Sequence, residues 1–171
     1  MESAEFPRDV GELRIRPAVR GLLLTPQREI LLVRFEFPSR TVWAPPGGGL
    51  EEGEDHLAAL RRELREEVGL RDPVIGAHVW NREHIIPHLD GKWDGQRDRL
   101  YVVPTQRFEP HPELEWDQLR AERVHELRWW HVDEIATSNA SDTTFAPRRL
   151  GMLLRSLLDD GPPAGPIDTG V

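Results

Sequence analysis

A glutamate-rich helix, predicted over residues 54–68, is the feature that most limits how this chain can fold. Its apolar residues recur at helical spacing and form a single stripe: Leu57, Leu60, Leu64 and Val68. Gly69 follows directly and predicts the C-terminal end of the helix. A helix with one apolar stripe must bury that stripe, so we expect it to pack on a sheet with its polar groups at the border of the contact.

Three carboxylates lie along one edge of this predicted helix. Glu63, Glu66 and Glu67 stand at positions i, i+3 and i+4, which brings their side chains into one narrow arc. A solvated surface helix would instead favour interleaved opposite charges. Crowded carboxylates repel one another unless a cation compensates, and a hard divalent ion with oxygen ligands does so. The spacing therefore predicts a site for Mg²⁺, with Mn²⁺ as a substitute.

The remaining pattern predicts several strands and a second helix around this element. We expect strands over residues 13–25, 30–33, 73–80, 99–105 and 125–131, and a closing helix over 147–158. Residues 45–49, Pro-Pro-Gly-Gly-Gly, argue against regular structure locally. Residues 1–11 are expected to be an N-terminal extension and 12–160 one catalytic domain. Residues 161–171 hold too few apolar side chains to pack and predict a flexible tail.

Charge and composition exclude several classes of function. The chain has 22 basic and 30 acidic residues, and its net charge of −8 opposes non-specific attraction to a nucleic acid polymer. There is no cysteine, which excludes disulfides, thiolate zinc sites and thiol nucleophiles. The first residues are acidic where a signal peptide is basic, and no apolar run is long enough for a membrane span. We therefore expect a cytoplasmic protein without a membrane partner.

The segment from Gly48 to Leu70 carries a recognisable pattern. Gly48 is followed after five residues by Glu54 and after seven more by Arg-Glu-Leu-Arg-Glu-Glu-Val-Gly-Leu, beginning at Arg62. This segment resembles the Nudix box at every defined position. The resemblance implies an α/β fold, an α/β/α sandwich with a mixed central sheet. It also implies hydrolysis of a diphosphate linkage in a small nucleotide-like molecule, and a homodimer is plausible on the same ground.

The resemblance further implies a role for each matching residue. The backbone carbonyl of Gly47 and the carboxylates of Glu63, Glu66 and Glu67 are expected to bind the metal. Arg62 is expected to orient the carboxylates through hydrogen bonds, and Glu54 to support them. Gly48 and Gly69 complete the motif, since a close approach of backbone to an ion leaves no room for a side chain.

The general base stays open at this point. Either Glu66 or Glu67 is expected to serve as both ligand and base, with Glu122 as a helper because it precedes the strand-like segment at 125–131. A solvated surface charge is the plainer interpretation of Glu122. His125, which enters that strand, is expected to pack or to donate a hydrogen bond more readily than to act in catalysis.

Two tryptophans and two arginines are candidates for substrate binding. Trp80 and Trp93 offer rings on which a base can stack, and Arg82 and Arg97 offer bidentate contacts to phosphate. The alternatives are a core position for Trp80, a loop cover for Trp93 and surface ion pairs for the arginines. His84 and His88 stand four residues apart, but the intervening Ile-Ile-Pro disfavours a helical metal pair, and a closed zinc site usually requires four ligands.

The favoured function is therefore a Mg²⁺-dependent hydrolase in which water attacks a phosphorus atom. Nucleoside triphosphates, including oxidised deoxynucleotides, are the leading substrates, and nucleotide-sugars follow. A non-catalytic sensor of nucleotide metabolites is the alternative, although a sensor has no need of clustered carboxylates. The diphosphate isomerases that share this fold rely on a cysteine, which this chain lacks.

Overall fold

A mixed β-sheet forms the centre of the molecule in the computed structural model. The structure describes residues 13–85, 91–138 and 143–171, so the expected N-terminal extension and His88 lie outside the described residues. The strands in these ranges are β1 (Ile15–Leu24), β2 (Glu29–Phe37), β3 (Arg40–Ala44), β4 (Gly47–Gly49), β5 (His78–His84), β6 (Gly95–Pro104), β7 (Val124–His131), β8 (Thr144–Phe145) and β9 (Ile167–Asp168). The helices are α1 (His56–Val68), α2 (Trp116–Ala121), α3 (Val132–Thr137) and α4 (Leu150–Asp160).

The long strand β1 organises the sheet, whose order is β8-β3-β2-β1-β6-β5-β9. It pairs in parallel with β6 over its whole length, from Ile15 opposite Gly95 to Leu24 opposite Pro104. On its other side it pairs with β4 near its beginning and with β2 only at Leu24. Strand β7 adds to β2 outside this path. Because β1 leaves β2 and pairs with β4, the two parts of the sheet separate along its N-terminal half.

Alternating side chains of β1 separate the core into two layers. Val19 and Leu23 face α1 and pack with its buried stripe, whereas Leu22 and Leu24 face α4. Helices therefore cover both faces of a mixed sheet, and the expected α/β/α sandwich is confirmed. No helix within the described ranges is long and apolar enough to cross a membrane.

Several boundaries differ from the sequence expectation. Residues 45–49 were expected to lack regular structure, but Gly47–Gly49 forms β4, because glycine at Gly47 adopts a φ of 148° and lets the backbone approach β1. The strand expected at 73–80 begins at His78 and runs to His84; the residues before it connect it to α1. Helix α4 begins at Leu150 rather than at residue 147.

The C-terminal segment also differs from the expected flexible tail. Ile167 and Asp168 pair in parallel with Trp80 and Asn81 of β5. The next residue, Thr169, is 4% exposed and its backbone N–H donates to the Asn81 carbonyl at 2.9 Å. Backbone hydrogen bonds hold this segment against β5. Its low apolar content therefore gave no indication that it is ordered.

Candidate metal and active site

Helix α1 places the box glutamates at the border of the core. Asp55 caps its N-terminus, with Oδ1 accepting the backbone N–H of Ala58 at 2.8 Å, and Gly69 ends it in the left-handed region at φ 77°. The apolar stripe packs on the sheet, although Leu57 stays 43% exposed. Glu63 and Glu67 lie beside that stripe and are 7% and 2% exposed. Two carboxylates are therefore held out of bulk water by the packing of one helix.

A third carboxylate reaches them from another element. Glu122, at the C-terminal end of α2, brings one carboxylate oxygen within 4.8 Å of those of Glu63 and Glu67. Glu122, expected to act as a helper, therefore lies beside two of the box glutamates, and its role stays a prediction. Glu66 lies outside this trio, and its Oε2 accepts a hydrogen bond from Arg62 at 3.3 Å.

Arg62 connects the helix to the loop in front of it. Its Nε and Nη2 donate to the two carboxylate oxygens of Glu54 at 2.8 and 2.9 Å. Its Nη1 donates to Glu63 at 2.9 Å, and Nη2 also reaches the Gly49 carbonyl at 3.1 Å. These contacts have the geometry of the orienting role expected for Arg62 and of the supporting role of Glu54. The hydrogen bonds from Arg62 hold the pKa of Glu54 below its usual value.

Electrostatics in this cluster favour a bound cation. Burial, followed by the charge of Glu63, raises the pKa of Glu67 well above its ordinary value. Burial and the charges of Glu63 and Glu66 likewise raise the pKa of Glu122. Glu67 Oε2 is buried and has no hydrogen-bond partner within the described residues. A divalent ion would satisfy this unpaired Glu67 oxygen and would neutralise the repulsion among the three carboxylates.

The glycines in front of the helix allow close approach at two points. A Cβ on Gly48 would lie 2.5 Å from Glu63 Oε1, and one on Gly47 would lie 2.0 Å from the Val19 carbonyl oxygen. At the far end of α1, a Cβ on Gly69 would meet the His111 carbonyl oxygen at 2.1 Å. Gly48 is therefore the position where a side chain would displace a carboxylate of the site.

A buried polar network adjoins the carboxylates on β1, β5 and β6, and sequence reasoning missed most of it. Arg20 Nε donates to Asp98 at 3.2 Å and Nη1 to the Pro45 carbonyl at 3.0 Å. Asp98 is fully buried and also accepts from Arg82 at 3.3 Å and from Gln96 at 2.9 Å. The charge of Arg20 acts to lower the pKa of Glu67, which places the network beside the cluster. The one sequence sign of this network was that Gln96 and Asp98 alternate along β6 with the apolar Leu100, which places all three on the same buried face.

Two side-chain atoms in this network have no partner among the described residues. They are Arg82 Nε and His84 Nδ1, and both are buried. Burial and the charge of Arg82 lower the pKa of His84 to about 4, so its ring is neutral near pH 7. Arg82, expected to bind phosphate, is thus paired with Asp98, and its phosphate-binding role stays a prediction.

Other predicted substrate residues lie elsewhere. Trp80 is 2% exposed inside the core, so its ring offers no face to a base, and that expectation was wrong. Arg97 points to the face of β6 opposite Asp98 and pairs with Glu83 at the surface. Trp93 is half-buried in the segment before β6, where its stacking role stays a prediction. His125 Nδ1 lies 3.4 Å from Glu36 Oε2.

Sequence comparison identifies relatives of this chain. The family model described as the NUDIX domain matches residues 14–151. An RNA pyrophosphohydrolase of Wolbachia pipientis subsp. Culex pipiens is 29% identical over 144 residues, covering 74% of this chain and 81% of that protein. An RNA pyrophosphohydrolase of Roseobacter denitrificans is 34% identical over 107 residues, covering 57% of this chain and 66% of its own length.

Solved structures support the same fold. The E. coli dihydroneopterin triphosphate pyrophosphohydrolase superimposes with a TM-score of 0.62 at 14% identity, over 86% of this chain and 98% of that one. The E. coli ORF135 protein gives 0.59 at 20% identity, over 88% and 94%. At such identities these structures establish the fold alone. Because the family model spans most of the chain and the box glutamates Glu63, Glu66 and Glu67 lie on α1, the chain belongs to the Nudix hydrolase family.

Proposed function

We propose that this chain hydrolyses a diphosphate linkage in a nucleoside 5′-polyphosphate with the help of Mg²⁺. The observation that carries the proposal is the trio of Glu63, Glu67 and Glu122, drawn from two elements and holding a buried oxygen without a partner. Such a trio is unfavourable by itself, because each carboxylate raises the free energy of charging the next. A cation shared with a substrate phosphate removes that cost.

The residues that would hold the ion are those three carboxylates, with Glu66 and the Gly47 carbonyl as further oxygen donors. When bound, a divalent ion neutralises charge on phosphate oxygens and lowers the pKa of a nearby water. Arg62 hydrogen-bonds Glu54, Glu63 and the Gly49 carbonyl, so the Glu63 carboxylate would not have to rearrange when substrate arrives.

In the proposed reaction a water oxygen forms a bond to phosphorus and the bridging P–O bond breaks. The proton of the water passes to a carboxylate, and the electron pair of the broken bond leaves with the departing phosphate. Glu66 is the better placed of the two expected bases, because it is less buried than Glu67 and burial raises its pKa. Glu122 would assist from the C-terminal end of α2.

The buried network around Asp98 supports a nucleotide as substrate. Arg82 Nε and His84 Nδ1 are buried polar atoms without a partner in the described ranges, and an unpaired buried group is costly unless a ligand satisfies it. Two arginines share one aspartate there, which leaves an excess positive charge for an anionic or carbonyl-bearing ligand. Nucleoside triphosphates, oxidised deoxynucleotides and nucleotide-sugars all offer such acceptors.

A second candidate is the 5′-triphosphate end of an RNA. Relatives from Wolbachia and Roseobacter bear the name RNA pyrophosphohydrolase, and this favours it. The net charge of −8 opposes non-specific contact along a polyanion but not recognition of its end. Both candidates require the same attack on a phosphoanhydride.

The test is a turnover panel with Mg²⁺ containing a nucleoside triphosphate, an oxidised deoxynucleoside triphosphate, a nucleotide-sugar and a 5′-triphosphorylated oligoribonucleotide. Products are identified by mass spectrometry in ¹⁸O-water, which shows which phosphorus is attacked. We expect metal-dependent release of phosphate or pyrophosphate that Glu67→Gln abolishes. Binding without turnover of any member would favour the sensor, and turnover unchanged in Glu67→Gln would refute the proposal.

A further inference from the structure

The turn that follows α2 decides where Glu122 lies. Glu63 and Glu67 are fixed by a 13-residue helix, whereas α2 has only six residues and ends at Ala121. Arg123, directly after Glu122, adopts φ 69° in the left-handed region, where residues other than glycine are strained. The flanking Leu119 and Val124 are buried, so the turn between them is the part that the core does not fix.

Arg123 makes three contacts with the end of β2. Its carbonyl accepts the backbone N–H of Glu36 at 3.0 Å, and its Nη1 donates to the Glu36 carbonyl at 3.4 Å. Its guanidinium carbon lies 5.6 Å from the centre of the Phe37 ring. We call Glu36, Phe37 and Arg123 the β2 clasp. Two of these contacts use the arginine side chain, and a glycine in the same turn could make neither.

Glu122 needs such a restraint because its neighbours repel it. Its carboxylate is held within 4.8 Å of two others, and like charges at this distance favour a turn that swings outward. Residues keep a strained backbone conformation only where surrounding contacts hold them there. The side-chain contacts of Arg123 therefore oppose both its own backbone strain and the repulsion of Glu122 by its neighbours. In doing so they hold Glu122 in place.

We propose that Arg123 is a positioning residue, whose side-chain contacts with β2 hold the Glu122 carboxylate in the metal site. The inference rests on the proposed function, in which Glu122 helps to hold the ion. Arg123 itself touches neither ion nor substrate. A consequence is that the end of β2, which lies outside the box, contributes to metal affinity.

Arg123→Gly separates this role from simple turn geometry. Glycine accepts the left-handed conformation without strain but removes both side-chain contacts. We expect Mn²⁺ alone, titrated by electron paramagnetic resonance, to bind about tenfold more weakly, the scale typical of losing a residue that orients a metal ligand. The melting temperature of the metal-free protein should stay within a few degrees of the parent. A purely structural arginine would change the melting temperature and leave Mn²⁺ affinity alone.

Matched variants make the test decisive. Phe37→Leu removes the ring under Arg123, whereas Trp116→Leu removes an equally exposed ring that lies under Arg120. The first should weaken Mn²⁺ binding and the second should not. Should Arg123→Gly fail to fold, parent-like affinity in Phe37→Leu would overturn the proposal.

Glu122→Gln distinguishes the possible failures. If it weakens Mn²⁺ binding while Arg123→Gly does not, the clasp is refuted and the site stands. If Glu122→Gln binds Mn²⁺ as the parent does, Glu122 is not a ligand and the clasp is refuted with it. A parent protein that binds no Mn²⁺ even with nucleotide present would instead refute the proposed function.

Discussion

Glu67 is the residue on which the chemistry of the site depends most. It is almost fully buried, its Oε2 lacks a partner among the described residues, and its carboxylate lies within 4.8 Å of those of Glu63 and Glu122. In the absence of metal, a proton on this carboxyl is the simplest way to reduce the repulsion. The Glu67 carboxylate that would bind the metal therefore destabilises the protein when no metal is bound.

Glu67→Gln is expected to stabilise the metal-free protein at neutral pH and to abolish metal-dependent turnover. The folded-state pKa of Glu67 is raised above its ordinary 4.5. Between these two values the folded protein keeps a proton that the unfolded chain has released, so the free energy of unfolding falls as pH rises. The variant lacks this titration. Thermal unfolding in chelator from about pH 5 to about pH 8 should show its advantage growing with pH.

Gly48→Ala is expected to weaken metal binding without disturbing the backbone. The added Cβ would lie 2.5 Å from Glu63 Oε1 and force that carboxylate to move. Calorimetric titration with Mn²⁺ should give an affinity lower by about tenfold. Gly49→Ala is the control, because the three atoms nearest to its added Cβ all belong to the end of the flexible Arg16 side chain and none to a carboxylate. Equal loss in both variants would contradict the steric explanation.

Contacts between single residues can be predicted from the sequence where the two partners are close along the chain. Glu63, Glu66 and Glu67 share one helix, and Arg62 reaches Glu54 eight positions away, so helical spacing is informative. The pairing of Arg20 with Asp98 joins residues 78 positions apart and depends on the parallel register of β1 and β6. Nothing in the local pattern specifies that register.

Among the elements, α1 is determined most fully by its own residues. Its apolar stripe, the Asp55 cap and the Gly69 stop all agree, and the structure differs from the predicted range only in beginning at His56. The short elements β3, β8, α2 and α3 were not predicted. Strand β3 pairs with the preceding β2 and with the distant β8, and α2 and α3 begin with capping boxes of a few residues. Such short signals are weak in a single sequence.

Asp55→Ala is expected to destabilise the protein by about 1 kcal/mol, since it removes the side-chain acceptor for the Ala58 N–H. Urea unfolding monitored by circular dichroism would measure the loss. Glu52→Ala, which removes an exposed carboxylate from the preceding turn, is the matched control and should have no effect. Equal stability of both variants would show that this cap is dispensable.

The whole molecule brings two charged systems together across β1. The carboxylates on α1 lie on one side of the strand, and the Asp98 network lies on the other. Arg20 links them, since it donates to Asp98 and its charge acts to lower the pKa of Glu67. This arrangement follows from the separation of β1 from β2, which the sequence pattern did not indicate.

Strand β9 has a consequence for how separate molecules behave in solution. It occupies backbone groups at the outer edge of β5, and an uncovered strand edge is a template for a strand of another chain. Removing residues 166–171 should therefore promote self-association that increases with concentration, detectable by light scattering. The melting temperature of the dilute protein should change little, because the segment buries few apolar side chains. A truncated chain that stays monodisperse would show that this edge is already unsuited to intermolecular pairing.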